Sequence, residues 1–158
     1  MTQLSGMIEC SVDERHRVAI PAKMLKCMKA IAGVDESDKS VPMTVVVGLS
    51  LGRNLGVFPK NVHDDLVAFL NGKPKHDTDW NRIRTWIIGT AEEQTLDKQN
   101  RIRIPALLAK KLKLQGEVVV TGVEDHIELI GKDDWEREFD EYMDEFESVF
   151  QRASGTRP

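Results

Sequence analysis

The sequence predicts an α+β fold built from two β-rich repeats, and three observations predict it. One stretch is written twice, as Ser11-Val12-Asp13-Glu14-Arg15-His16-Arg17-Val18-Ala19-Ile20-Pro21-Ala22 and as Thr95-Leu96-Asp97-Lys98-Gln99-Asn100-Arg101-Ile102-Arg103-Ile104-Pro105-Ala106. Asp-x-x-x-Arg, an aliphatic residue and Ile-Pro-Ala are common to both, and the Asp pair and the Arg pair each lie 84 residues apart. Around each copy, short alternating strands and short amphipathic helices recur in one order, the signature of an internal repeat.

In chain order, residues 7–12 read as a strand feeding the first turn. Beyond it Val18 and Ile20 face one way and Arg17 and Ala19 the other, the period of a half-buried strand. Pro21 suits the first position of a helix, where its missing N–H costs nothing. Met24, Leu25, Met28 and Ile31 follow at helical spacing, and Gly33 ends the helix. Residues 35–42 are polar and predict a loop. Residues 44–47 and 55–58 predict a strand pair joined through 49–54, closed by Pro59. Val62, Leu66, Phe69 and Leu70 mark a short amphipathic helix, 71–79 a polar linker, and 83–88 with Trp80 and Trp86 a further helix.

The second half repeats the order. Residues 91–96 lead into the second turn, Ile102 and Ile104 point inward, and Arg101 and Arg103 point outward. Pro105 opens a helix carrying Leu107, Leu108 and Leu112, and 118–120 with 127–130 predict a second strand pair. Lys132 then stands where Lys60 stood. The span from Pro21 to Val45 is 24 residues against 13 from Pro105 to Val118, so the first copy carries 11 extra residues near 33–43. The chain ends on a helix whose stripe is Trp135, Phe139, Tyr142, Met143, Phe146, Val149 and Phe150, with acids around the rest. Residues 154–158 are expected to fray.

Composition limits the function classes. At 158 residues, with 41% hydrophobic and 30% charged residues, the chain is an ordinary globular one. No apolar run approaches the roughly 20 residues of a membrane span, and no signal-peptide pattern opens the chain. Cys10 and Cys27 form neither a Cys-x-x-Cys pair nor a scaffold, so a reduced cytoplasmic protein with structural thiols is expected. The net charge of −4 is unevenly placed. Residues 133–150 hold nine acidic residues and one basic one; of totals of 26 and 22, 17 acidic and 21 basic residues remain elsewhere. The body is mildly basic, and the overall sign does not exclude DNA.

The turn itself carries the chemistry. An Asp between two strands can accept hydrogen bonds from the turn's backbone N–H groups. His16 and Asn100 precede the two arginines, and both residue types tolerate a positive φ, so a left-handed residue is expected there. Such a turn presents Arg17 and Arg101 at fixed angles, with Arg15, Lys98 and Arg103 nearby. Arginine suits bidentate contact with phosphate or with the guanine edge. The competing reading is an Asp–Arg bridge that only stitches a hairpin; a single copy favours it, and two copies put the readings on equal terms.

These residues resemble the MraZ family of transcriptional regulators, built from two tandem SpoVT/AbrB-like swapped-hairpin units. The resemblance rests on Leu96-Asp97-Lys98-Gln99-Asn100-Arg101-Ile102-Arg103-Ile104-Pro105, on Val12 to Arg17 with Ile20-Pro21-Ala22-Lys23, and on Lys132-Asp133-Asp134-Trp135. It covers residues 6–145. The family usually has Gly where this chain has His16 and Asn100. The resemblance implies two swapped-hairpin repeats in one intertwined barrel with short helices and a C-terminal amphipathic helix. It divides the chain into a first repeat at 1–70, a connecting segment and helix at 71–88, and a second repeat with its C-terminal helix at 89–152.

The resemblance also implies a homo-oligomeric ring that binds repeated boxes in double-stranded DNA, upstream of its own gene and of the bacterial division and cell-wall cluster, in the cytoplasm at the nucleoid. The DNA-binding residues are then Asp13, Arg15, His16, Arg17, Asp97, Lys98, Asn100, Arg101 and Arg103. No catalytic residue, cofactor, metal or small-molecule substrate is expected. His63 with Asp64 and Asp65, and His76 with Asp77 and Asp79, lack a metal-ligand spacing and read as solvated polar loops. The acidic C-terminal helix is too negative for anionic lipid. An antitoxin-like protein-binding module of the same fold is the alternative, and an enzyme lies well behind both.

Overall fold

The computed structural model describes residues 3–39, 41–48 and 53–155. Among them the elements are β1 (Met7–Val12), β2 (Arg17–Ala19), α1 (Ala22–Ala32), β3 (Pro42–Val47), β4 (Leu55–Pro59), α2 (Lys60–Asn71), α3 (Thr78–Gly89), β5 (Glu92–Thr95), β6 (Arg101–Arg103), α4 (Ala106–Lys111), β7 (Gly116–Val123), β8 (His126–Gly131) and α5 (Lys132–Ser154). The fold is a mixed α+β one with a sheet-rich core. Residues 49–52 of the predicted strand connection, and 156–158 of the tail expected to fray, lie outside the described residues. Ser154 itself closes α5, which Gly155 caps in a left-handed conformation.

The predicted strand pairs form, β3 against β4 and β7 against β8, both antiparallel. Their neighbours come from the other half of the chain. One sheet has the order β1-β7-β8-β4-β3-β5, and β2 and β6 make a separate two-stranded ribbon. Exchanging the two copies maps this order onto itself, so the molecule has an internal pseudo-two-fold axis between β4 and β8. The first strand of each copy pairs with the third strand of the other, Ile8 opposite Val120 and Gln94 opposite Met43.

The expected closed barrel is not formed by the described strands. β1 and β5 remain the two edges of an open sheet. The reason lies in the turns, which swing the chain out of the sheet so that β2 and β6 pair with each other.

The core belongs to both copies at once. Val18, Ile20, Met24 and Leu25 of the first pack in one buried cluster with Ile102, Ile104, Val118 and Leu129 of the second. Cys10 and Cys27 lie half-buried at its margin and are not joined by a disulfide. A smaller cluster of Val46, Phe58, Leu70 and Ile87 sits where α2 and α3 cover β3 and β4.

Helix ends depart from the sequence reading in identifiable ways. Pro21 and Pro105 are N-caps rather than first helical residues, because their ψ angles of 134° and 131° are extended. Gly33 ends α1 at φ 70°, a conformation that a Cβ disfavours. The polar linker is shorter than 71–79: Asp77 caps α3, its side chain accepting from the Trp80 N–H at 3.1 Å. His63 is not in a solvated loop but buried on α2, and its burial pushes the imidazole pKa down. No helix among the described residues is long and apolar enough to cross a membrane.

Candidate nucleic-acid interface

Each turn is closed by its aspartate in the same way. Asp13 Oδ1 accepts from the N–H groups of Arg15 and Arg17, both at 2.9 Å, and Asp97 Oδ1 from Gln99 at 2.8 Å and Arg101 at 2.9 Å. The other carboxylate oxygen takes the arginine Nε–H at 2.8 Å in both copies. His16 and Asn100 stand at φ 61° and 58°, the left-handed conformation the sequence called for. Both readings of the motif therefore meet in one object: the arginine is stitched to the aspartate, and the stitch fixes the direction of its guanidinium.

The hydrogen bonds shift the carboxyls. The Arg17 N–H is the strongest influence on Asp13 and holds it below the usual carboxylate range, against some desolvation. For Asp97 desolvation is the largest single effect and pushes upward; the Arg101 N–H and side chain and the Gln99 N–H together outweigh it, so this carboxyl is lowered too. Both aspartates are anions at neutral pH.

The ribbon brings the two turns together. Val18 faces Ile102, Arg17 faces Arg103, and Ala19 faces Arg101. Beyond the ribbon, the Ile20 N–H donates to the Asn100 carbonyl at 3.0 Å and the Ile104 N–H to the His16 carbonyl at 2.7 Å. Each left-handed residue thus serves the other copy. Arg101 Nη1 also lies 3.8 Å from Asp13 Oδ2, an ion pair across the copies. The side chains of Arg17 and Arg101 are 27% and 25% exposed, whereas Arg15, Lys98, Asn100 and Arg103 are exposed outright.

Arg17 opposite Arg103 places like charges directly across a strand pair, an arrangement that destabilises a ribbon standing alone. One residue of the site was not legible in the sequence. The Gln94 side chain holds Arg103 by its backbone, Oε1 accepting from the Arg103 N–H at 2.9 Å and Nε2 donating to the Arg103 carbonyl. The first copy has Cys10 at that place and Ala19 at the place of Arg103, so duplication gave no signal for the clasp. Among the described residues, no group of three or more His, Cys, Asp or Glu is placed to hold a metal.

Fold and site together define a duplicated α+β protein that presents two aspartate-braced arginine turns on one shared ribbon. Residues 87–156 match the family model of the MraZ protein, whose description also calls it antitoxin-like. Among curated proteins, the chain is 30% identical to the transcriptional regulator MraZ of Herpetosiphon aurantiacus over 94% of this chain and 95% of that one. It is 30% identical to the protein of that name from Oenococcus oeni, over 83% and 82%, and 31% identical to that from Nitrosomonas europaea, over 85% of each. The chain belongs to the MraZ family.

Proposed function

We propose that this chain is a sequence-specific DNA-binding transcriptional regulator. The observation that carries the reading is the β2–β6 ribbon with both turns attached. Arg15, Arg17, Lys98, Arg101 and Arg103 gather there against Asp13, Asp97 and Glu14. A two-stranded ribbon is one of the shapes that the roughly 12 Å wide major groove admits. The aspartates take the arginine Nε–H, which aims the Nη groups, and of these, among the described residues, only Arg101 Nη1 has a carboxylate nearby, Asp13 Oδ2 at 3.8 Å; aimed arginines lose less freedom on binding. Phosphate or a guanine edge between Arg17 and Arg103 relieves their repulsion. Arg15 and Lys98, at the exposed turn tips, suit the phosphate backbone.

In this reading the strand exchange is that of two tandem swapped hairpins. Residues 1–70 and 89–152 are repeats joined by 71–88, sharing one core rather than folding apart. The relatives' printed name, transcriptional regulator, supports the function, and we extend it to a ring of identical chains on repeated boxes. The boxes lie before the protein's own gene and the division and cell-wall cluster, in the cytoplasm at the nucleoid. A ring explains how five cations per chain suffice, since linked contacts raise affinity by roughly 10²–10⁴ when geometry allows them together. The test is a gel shift on the upstream region of its own gene at moderate salt. The reading predicts a shift removed by specific competitor and retained against scrambled DNA; a shift removed equally by both overturns it.

A further inference from the structure

The internal pseudo-two-fold axis runs through the ribbon, where Val18 faces Ile102, and on between β4 and β8, where Gly56 faces Glu128. The two aspartate-braced turns obey it. The charges on the flanks of the ribbon do not. Counted from Lys60 and Lys132, which open α2 and α5, Arg137 stands where Asp65 stands, and Arg53 where Asp125 stands. Each pair is a charge reversal between the halves.

The reversals fall in matching cavities. One, of about 250 Å³, lies between the end of α4 and the start of α5, where Arg53, Lys111, Lys113 and Arg137 face the single acid Asp134, a net of +3. The other, of about 270 Å³, is lined by Asp65 and Asp125 with Phe58, Val62, Leu66 and His126, and it holds no Lys or Arg. Lys113 occupies a demanding place. It stands at φ 55°, where α1 ends on Gly33 at φ 70°, and a side chain disfavours that conformation. Its carbonyl lies 2.8 Å from where a Cβ on Gly131 would stand, so the cavity wall closes only on glycine.

The first copy has lysines as well, and its extra residues cover them. Counted from Pro21 and Pro105, Lys26 and Lys29 correspond to Lys110 and Lys113. Glu36 meets both: its carboxylate is 3.4 Å from Lys26 Nζ, and its carbonyl accepts from Lys29 Nζ at 2.9 Å. Asp35 and Asp38 flank it in the insertion. A pair as exposed as Lys26 and Glu36 adds little to stability, so these acids act on the field of the flank more than on the fold. Lys110, Lys111 and Lys113 are exposed, and among the described residues none has a carboxylate partner.

We propose that the groove of Arg53, Lys111, Lys113 and Arg137 holds a phosphate of the DNA backbone beside the ribbon, and that residues 33–43 withdraw the matching lysines of the first copy. Helix α4 leaves the ribbon at Pro105 and runs six residues, about 9 Å, a reach on the scale of the roughly 12 Å wide major groove. Both turns then read the groove, and each chain grips the backbone on one flank only. This rests on the DNA-binding reading and adds a sidedness to it.

The experiment uses the whole chain and three variants. Lys111→Gln/Lys113→Asn empties the groove of two cations while keeping a residue type that tolerates φ 55°. Arg53→Gln tests the groove from a separate loop, and Lys26→Gln/Lys29→Gln tests the covered flank. Each is titrated with upstream and scrambled duplexes over a series of salt concentrations, with helix content followed by circular dichroism. One phosphate contact contributes about 0.9 to the slope of log affinity against log salt. The groove double variant is expected to lose roughly 1 from that slope per lost contact in each engaged chain, with the preference for native over scrambled DNA unchanged. Arg53→Gln should lose about half as much, and the α1 variant should keep the wild-type slope. Unchanged slopes in both groove variants overturn the proposal, and equal losses in the α1 and groove double variants overturn its sidedness. If inorganic pyrophosphate raises the Tm of wild type but not of the groove double variant while their slopes agree, the groove takes a free phosphoryl group and the proposal fails. A wild type that binds neither duplex refutes the DNA reading itself, and this proposal with it.

Discussion

Replacing Arg101 by Ala separates the reader from the stitch. In the fold this residue contributes an Nε contact to Asp97 at 2.8 Å and a longer one to Asp13 at 3.8 Å, both around carboxylates 36–37% exposed. Pairs so open to water contribute about 0–1 kcal/mol. The Asp97 turn keeps its backbone hydrogen bonds from Gln99 and from residue 101, which do not need the side chain. A loss of up to about 1 kcal/mol lowers Tm by roughly 2–4 °C in a chain of this size. On DNA, loss of one bidentate contact costs about 1–3 kcal/mol per engaged subunit, which is about 5- to 150-fold. The assay is fluorescence anisotropy with duplex DNA from the upstream region at one fixed salt concentration, paired with thermal unfolding. Predicted is a large loss of affinity with a small fall in Tm. A fall of 10 °C or more with unchanged affinity per folded molecule refutes the reasoning and makes Arg101 a stitch alone.

Removing the carboxylate instead strikes the fold: Asp97→Ala deprives two backbone N–H groups and one guanidinium of their acceptor and should lower stability by about 1–3 kcal/mol, read by urea unfolding. Asn100→Gly should stay within about 1 kcal/mol of wild type, because Gly adopts φ 58° freely. Asn100→Val should lose about 1–3 kcal/mol to strain; equal stability of the two variants contradicts the left-handed assignment. His126 lies buried, stacked on Phe58 with ring centroids 4.3 Å apart, its ring nitrogens 2.8 Å from Asp125 and 3.3 Å from Glu128. Burial pulls its pKa down, but the contacts to Glu128 and Asp125 win and raise it above the usual 6.5. A raised folded pKa stabilises most below about pH 6.5, and the effect fades as pH rises through the folded value. The stability gap between wild type and His126→Gln should therefore be wider at pH 6 than at pH 9, and a gap that widens with pH contradicts the assignment.

What was legible in the sequence was mostly local. The aspartate-closed turn, the left-handed His16 and Asn100, the inward Val18, Ile20, Ile102 and Ile104, and the Gly33 stop follow from residue type and spacing over a few positions. The partners within each copy, β3 with β4 and β7 with β8, were legible as hairpins, but the pairings across the copies were not, because a period of two tells which face of β1 is buried and not that β7 is its neighbour. The same limit hid the open sheet and the pairing of β2 with β6, which bring Arg17 opposite Arg103. Asp77 capping α3 was masked by the Gly72-Lys73-Pro74-Lys75 run, which reads as linker. Gln94 was invisible for a different reason: its clasp on Arg103 exists in one copy only, and duplication highlights what both copies share.

The most direct measurement of the central claim is a titration of the 158-residue chain against four duplexes at one salt concentration. One carries the native upstream boxes, one the boxes with about half a helical turn inserted between them, one a full turn, and one the scrambled sequence. A ring whose ribbons face DNA at fixed intervals needs its boxes in phase, about 10–10.5 base pairs apart or a multiple of that. The predicted order of affinity is native first, the full turn next, the half turn far weaker, and scrambled DNA weakest, near the non-specific 10⁻⁴–10⁻⁶ M range. Equal affinity for native and scrambled boxes contradicts the account.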